Sequence, residues 1–404
     1  MIKRESYLKQ IEPFIGCDLI KVITGIRRCG KSVILQLVRE KLLDSGIKAK
    51  QIISFNFEDM QYNSLCTAEA LHQEILRLTQ NLKGKVYLFF DEIQEVKDWE
   101  KCLSSLRVKL DCDIYITGSN AKLLSGELAT RLAGRYVEFT IYPFSFSEFR
   151  SLYLLSHPQT NDSKCFHQYL TLGGMPFLHN LNYEESPCRQ YLLDLFDSVQ
   201  LKDIAKRYSV RDVDLLSRLI EYVIQNTGMT FSATSLAKFF KSEQRKVSVE
   251  TLLNYLKYCT DAFLFYPVKQ QNLKGKQLLV SNQKYYIADH GMRDTLFHSN
   301  AQDIHQTLEN IVYMELRRRS YSVTVGKAGE KEIDFVCEKD GQRLYVQVCY
   351  LLASEETVQR EFGAYDLVRD NFPKYVLSLD EIDFSRNGIK HLNIRDFLLD
   401  PQGI

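Results

Sequence analysis

The sequence predicts an α/β protein: a parallel sheet with helices on both faces over residues 1–150, a mainly helical part over 151–295, and a small second α/β unit over 296–404. Three observations carry this. Short apolar runs alternate with amphipathic stretches as far as about residue 150. The pattern then turns helical, and the last hundred residues return to alternation.

Taken in order, the first part has strands expected over 19–24, 52–57, 86–90, 114–117 and 137–141, each rich in β-branched and aromatic residues. Helices are expected between them over 32–43, 67–81 and 98–109. Alternation of this kind gives right-handed parallel connections, with ligands beyond the carboxyl ends of the strands. In the second part, Gly173-Gly174-Met175-Pro176 interrupts the helical pattern, and helices follow over 212–226, 234–240 and 248–259. Ser248 suits the N-cap of the last of these, with Leu252, Leu253, Leu256 and Cys259 as its apolar stripe. Strands over 263–268 and 283–287, joined through Asn272-Leu273-Lys274-Gly275-Lys276, complete the order of a winged helix-turn-helix. The third part predicts a helix over 307–320, strands over 323–326, 333–338 and 344–349, a further helix, and a strand over 374–379.

Composition narrows the class. Of 404 residues, 45% are hydrophobic and 25% charged, which excludes a wholly disordered chain. Lys and Arg number 52 against 51 acids, so any nucleic-acid contact has to come from a local patch. The apolar runs are far shorter than the ~18 residues of a membrane span, and no membrane partner is expected. The 10 cysteines are scattered singly, with neither C-x-x-C nor H-E-x-x-H, so no zinc site is expected. Single thiols and a polar start to the chain predict a cytoplasmic protein.

Gly25-Ile26-Arg27-Arg28-Cys29-Gly30-Lys31-Ser32 fits G-x-x-x-x-G-K-[ST] and stands between an expected strand and an expected helix. The backbone N–H groups from Gly25 to Val33 are candidates to cradle phosphates, with Lys31 on the β- and γ-phosphates and Ser32 on Mg²⁺. Cys29 is expected to be a packing residue rather than a reactive thiol. The run 86–90 ends in Asp91 and Glu92: Asp91 suits Mg²⁺ held through water, and Glu92 the polarisation of an attacking water. Ser119 or Asn120, after the fourth strand, is a candidate sensor of the γ-phosphate. Arg131 and Arg135 are candidates for a guanidinium that offsets transition-state charge in a neighbouring copy.

These motifs, with Asp91-Glu92-Ile93-Gln94, Thr117-Gly118-Ser119-Asn120, Leu132-Ala133-Gly134-Arg135 and Tyr142-Pro143-Phe144-Ser145-Phe146-Ser147-Glu148-Phe149, resemble the archaeal and bacterial AAA+ ATP-binding proteins that carry a C-terminal nuclease-like domain. The resemblance implies an AAA+-like P-loop NTPase fold, ATP with Mg²⁺, and a winged-helix middle. Residues 200–280 hold 13 lysines and arginines against 7 acids. Lys238, Lys241, Arg245 and Lys246 precede the expected recognition helix, and Lys274 and Lys276 sit at the expected wing tip. Duplex DNA through residues 234–280 is the partner this suggests, beside a protein partner or a second copy of the chain. Glu309, Asp334 and the strand with Gln347 and Cys349 resemble a PD-(D/E)xK nuclease core. That resemblance implies a divalent metal on Glu309 and Asp334, but Gln347 stands where an acid is expected and Cys349 where lysine belongs. The unit is expected to keep the fold without the cleavage. The sequence thus predicts a Mg²⁺-dependent ATPase that drives rearrangement of its downstream parts, with a slow nucleotide-gated switch or scaffold as the alternative.

Overall fold

This computed structural model describes residues 2–121, 132, 134–273, 277–297, 303–400 and 404. The chain forms two compact units, Met1–Pro143 with Asp261–Phe263, and Phe144–Thr260 with Leu264–Ile404. Among the described residues no helix is long and apolar enough to cross a membrane.

The first unit is built on a parallel five-stranded sheet in the order β2-β3-β4-β1-β5, where β1 is Ile20–Thr24, β2 Ile52–Asn56, β3 Val86–Asp91, β4 Cys112–Thr117 and β5 Tyr136–Thr140. Every residue of β1, β3 and β4 is buried, whereas the edge strands β2 and β5 are only partly covered. That is why the central strands read as mainly apolar runs, broken by Lys21 in β1 and Asp113 in β4: helices cover both faces. On one face Val22, Leu88, Phe90 and Ile116 pack with Leu71 and Ile75 of helix Ala68–Thr79 and Leu103 and Leu106 of helix Trp99–Lys109. At the amino end of the sheet Lys21 is fully buried in an ion pair with Asp113. Asp113 also accepts from Tyr115 Oη at 2.9 Å and the Gly16 backbone N–H at 2.7 Å, so the buried charges are matched. Burial drives the Lys21 ammonium below its ordinary range even against the pull of Asp113.

The second unit opens with helix Phe146–Ser156, whose start is fixed by a capping box between Ser145 and Glu148. Helices Asp162–Leu172, Glu185–Ser198, Val213–Gln225, Ala233–Ser242 and Val249–Asp261 follow. Gly173-Gly174 interrupts the pattern for a steric reason. A Cβ on Gly173, at φ +77°, would lie 2.1 Å from Asp289 Oδ1, and the Gly174 N–H donates to Asp289 Oδ2 at 2.7 Å.

A mixed seven-stranded sheet closes this unit in the order β12-β11-β10-β9-β8-β6-β7. Its strands are β6 Phe265–Asn272, β7 Gln277–Ile287, β8 Ser322–Ala328, β9 Lys331–Lys339, β10 Gln342–Val348, β11 Lys374–Ser378 and β12 Lys390–Asn393. The hairpin expected as a wing is β6–β7, longer than its apolar residues suggest, because polar Gln270 to Asn272 pair with β8 on one side and β7 on the other. These two hairpin strands and the C-terminal strands are therefore one sheet. Lys274 and Lys276 lie outside the described residues.

Candidate nucleotide site

The phosphate loop leaves the carboxyl end of β1 and runs into helix Lys31–Asp44, as its position between strand and helix predicts. Gly25 cannot be replaced without strain: at φ +138° its Cβ would meet the Ile141 carbonyl oxygen at 2.2 Å. Gly30, at φ +103°, is the N-cap of the helix, and Arg28 also holds a positive φ of 68°. Lys31 is buried and folds back over the loop, donating to the carbonyls of Gly25 at 3.2 Å and Ile26 at 3.3 Å. Its ammonium lies 3.9 Å from Glu92 Oε1. Ser32 and Arg28 are exposed, Val33 and Arg27 half-buried, and Arg27 faces Glu58 at 3.8 Å. Cys29 is fully buried, and burial pushes its thiol above the ordinary range despite Lys31 and Arg4 nearby. That environment suits packing, not thiolate chemistry.

Asp91 and Glu92 reach the same place from the carboxyl end of β3. Asp91 accepts from Thr117 Oγ1 and from the Ser32 hydroxyl; burial nevertheless raises its pKa above the usual carboxylate value. Ser32 and Asp91 are thus adjacent, a hydroxyl and a carboxylate of the hard-oxygen kind that Mg²⁺ takes. Glu92 sits in a left-handed conformation at φ 52°, with its N–H donating to Thr117 Oγ1 at 2.9 Å. Its carboxylate accepts from Ser119 Oγ at 2.9 Å and from Gln94 Nε2. Burial works to raise the Glu92 pKa, but the Lys31 charge and these hydrogen bonds outweigh it and hold the group below its ordinary value. Asn120 is buried beside Ser119.

The two candidate arginines are expected to act at the site of a neighbouring copy. Arg131 lies outside the described residues. Arg135 is exposed, and its carbonyl accepts from the Ile20 N–H at 2.9 Å, which puts it at the amino end of β1, the opposite end of the sheet from the loop.

Sequence reasoning missed two residues. Thr117 bridges Asp91 and Glu92, and only its place in Thr117-Gly118-Ser119-Asn120 hinted at a role. Arg4, just before helix Glu5–Ile11, is buried under the loop and donates to the Cys29 carbonyl at 2.9 Å and the Tyr142 carbonyl at 2.8 Å. Its guanidinium also stacks over Tyr7, 4.6 Å from the ring centre. Nothing in Met1-Ile2-Lys3-Arg4-Glu5 distinguishes Arg4 from a solvated charge.

In the second unit, Lys238, Lys241 and Lys246 line a groove of about 490 Å³ with Thr234, Ala237, Val247 and Ser248. Arg245 is drawn into an ion pair with Asp214, which also takes Arg218 at 3.4 Å. Glu309 and Asp334, for which the nuclease resemblance implies a metal, are buried together, but the ammonium of Lys284 on β7 stands 3.0 Å from Glu309 Oε1. The residues present do not fit a divalent ion there. Among the described residues no group of three or more His, Cys, Asp or Glu is arranged to hold one. Gln347 Oε1 accepts from the Asp334 N–H at 3.2 Å, and burial pushes the Cys349 thiol far up.

Comparison with known proteins locates these features. Residues 18–150 match the family model described as an AAA domain, and residues 163–303 match a domain of unknown function, DUF8612. An uncharacterized protein of Haemophilus influenzae is 39% identical over 405 residues, covering 99% of each chain. One of Methanocaldococcus jannaschii is 30% identical over 408 residues, covering 98% of this chain and 88% of its own. Among solved structures, the Walker-type ATPase of Pyrococcus abyssi is similar with a TM-score of 0.49 at 14% identity, over 73% of this chain and 95% of that one. With an AAA domain matched over residues 18–150 and relatives at least 30% identical over nearly all of this chain, the chain belongs to a family of AAA-domain proteins.

Proposed function

We propose that the protein is a Mg²⁺-dependent ATPase whose nucleotide state is relayed to its winged-helix and nuclease-like parts. The observation that carries this is the convergence of Lys31, Ser32, Asp91 and Glu92 at the carboxyl ends of β1 and β3. In this reading the loop N–H groups and Lys31 bind the phosphates, and Ser32 and Asp91 hold Mg²⁺, which supplies charge neutralisation at the β- and γ-phosphates. Lys31 leaves the Gly25 and Ile26 carbonyls to reach them. Glu92, kept ionised, takes the proton of the attacking water, and Ser119 and Asn120 respond to the γ-phosphate. Multiple-turnover hydrolysis with Mg²⁺, compared in wild type and Glu92→Gln, tests it. Turnover abolished by the substitution supports the reading; a wild type that binds ATP but turns over no faster than Glu92→Gln favours the slow switch or scaffold.

The lysine groove favours duplex DNA over protein as the downstream partner. Lys238, Lys241 and Lys246 have no ion pair among the described residues, whereas Arg245 and Arg218 are held by acids. Lysines not engaged within the protein are the ones able to release counterions from a phosphate backbone.

A further inference from the structure

Lys284 on β7 occupies the centre of an acidic cluster assembled from two other elements. Its ammonium lies 3.0 Å from Glu309 Oε1 on helix Ile304–Arg318, and 2.8 Å from Glu332 Oε1 and 3.8 Å from Asp334 Oδ1, both on β9. The side chains of Lys284, Glu309 and Asp334 are 4%, 4% and 8% exposed, so water does little to separate these charges, whereas Glu332, at 37%, is partly screened. The other carboxylate contacts are filled from the protein as well. Tyr286 Oη donates to Glu309 Oε1 at 2.5 Å, the Val348 N–H to Asp334 Oδ2 at 2.9 Å, and Gln270 Nε2 to Glu332 Oε2 at 3.2 Å. His305 Nε2 stands 3.7 Å from Glu309 Oε2.

A divalent ion would need these same oxygens at about 2.0–2.6 Å, in the space the ammonium fills. The ammonium also repels any second cation at that range, most strongly where water is excluded. Its fit is chemical as well as electrostatic: two of the three –NH₃⁺ donors are within hydrogen-bond reach of Glu309 and Glu332, and Asp334 stands at ion-pair distance. Removing the positive charge would leave buried carboxylates with no counterion, a state that takes up a cation or protons.

We infer that Lys284 is a built-in cation that stands in the place of a divalent metal, and that removing its charge converts the Glu309–Glu332–Asp334 cluster into a divalent-cation site. This is independent of the ATPase reading, and it gives a physical reason for the C-terminal unit to do without metal chemistry: the place is taken by the protein's own lysine.

The test is a Mn²⁺ titration of the full, nucleotide-free chain, read by the electron paramagnetic resonance of the unbound ion, in wild type, Lys284→Met, Asp334→Asn and the double variant. Lys284→Met, which keeps the aliphatic stem, should gain a Mn²⁺ site at least about ten-fold tighter than any in the wild type. The double variant should lose it. Wild-type Mn²⁺ binding that Asp334→Asn abolishes would overturn the inference, and so would a folded Lys284→Met with no gain. Should Lys284→Met not fold in buffer alone, refolding it and Lys284→Gln with and without Mn²⁺ gives the same decision. Recovery that depends on the metal and on Asp334 supports the inference, and failure of both variants to respond to Mn²⁺ overturns it.

Discussion

In the proposed hydrolysis Glu92 is the base, and its surroundings make its behaviour against pH specific. Lys31, Gln94 and Ser119 all stabilise the charged carboxylate against the cost of burial, so the base form persists below the ordinary carboxylate range. The acid limb of the kcat/KM–pH profile, which reports the free protein, should therefore lie below the usual glutamate value. Ser119→Ala removes one donor to the charged form, which raises the Glu92 pKa and moves that limb to higher pH. A limb that stays put, in a stopped assay of phosphate release, would separate Ser119 from Glu92. Glu92→Gln should keep ATP affinity and slow turnover by about 10²–10⁴-fold, the usual worth of a positioned acid or base. Lys31→Ala acts earlier. It removes charge-assisted hydrogen bonds worth about 1.5–3 kcal/mol each, so calorimetry should show ATP binding weakened by roughly a hundred-fold or lost.

At the scale of elements, the phosphate loop is held from below by a segment that precedes it by some twenty residues. Arg4 spans the Cys29 carbonyl in the loop and the Tyr142 carbonyl beyond β5. Arg4→Ala leaves these acceptors without their donor, at about 1–3 kcal/mol for each that stays buried. We expect a lower melting temperature together with weaker ATP binding, and no rescue by Arg4→Lys, because one ammonium does not reproduce a two-armed guanidinium. An Arg4→Ala variant with wild-type melting and affinity would show that Arg4 does not hold the loop. The strands around this loop were legible because burial on both faces wrote them as apolar runs: the expected 19–24 is Ile20–Thr24, and 86–90 is Val86–Asp91. Arg4 and Lys284 were not legible. Each sits in a polar stretch, and the hydrogen bonds that give each its role go to partners 25 or more residues away in the chain. The β6–β7 hairpin was seen as a hairpin, but its pairing with β8 was not, since strand neighbours so far apart in sequence leave no local period.

At the scale of the whole molecule, an ATPase that works on DNA must couple two sites, and coupling between binding sites is reciprocal. If the groove of Lys238, Lys241 and Lys246 takes the phosphate backbone, binding should weaken alike for all duplex sequences when these lysines are neutralised. The slope of log affinity against log salt should flatten by about 0.9 for each phosphate that is no longer neutralised. Those two effects identify the groove as a DNA-facing surface but say nothing about relay. The relay has its own signature. A nonhydrolysable ATP analogue should change the affinity for duplex DNA by some factor, typically about 5–150 where coupling is real, and saturating DNA must then change the affinity for the analogue by that same factor. Fluorescence anisotropy gives the first number and calorimetry the second. Lys31→Ala, unable to engage the β- and γ-phosphates, should bind DNA normally yet lose the response to nucleotide. Neutralising the three lysines should leave analogue binding intact while removing the effect of DNA on it. A protein that binds both ligands with factors of one would be an ATPase and a DNA-binding chain without a relay between them, because a ligand that binds two states equally shifts neither.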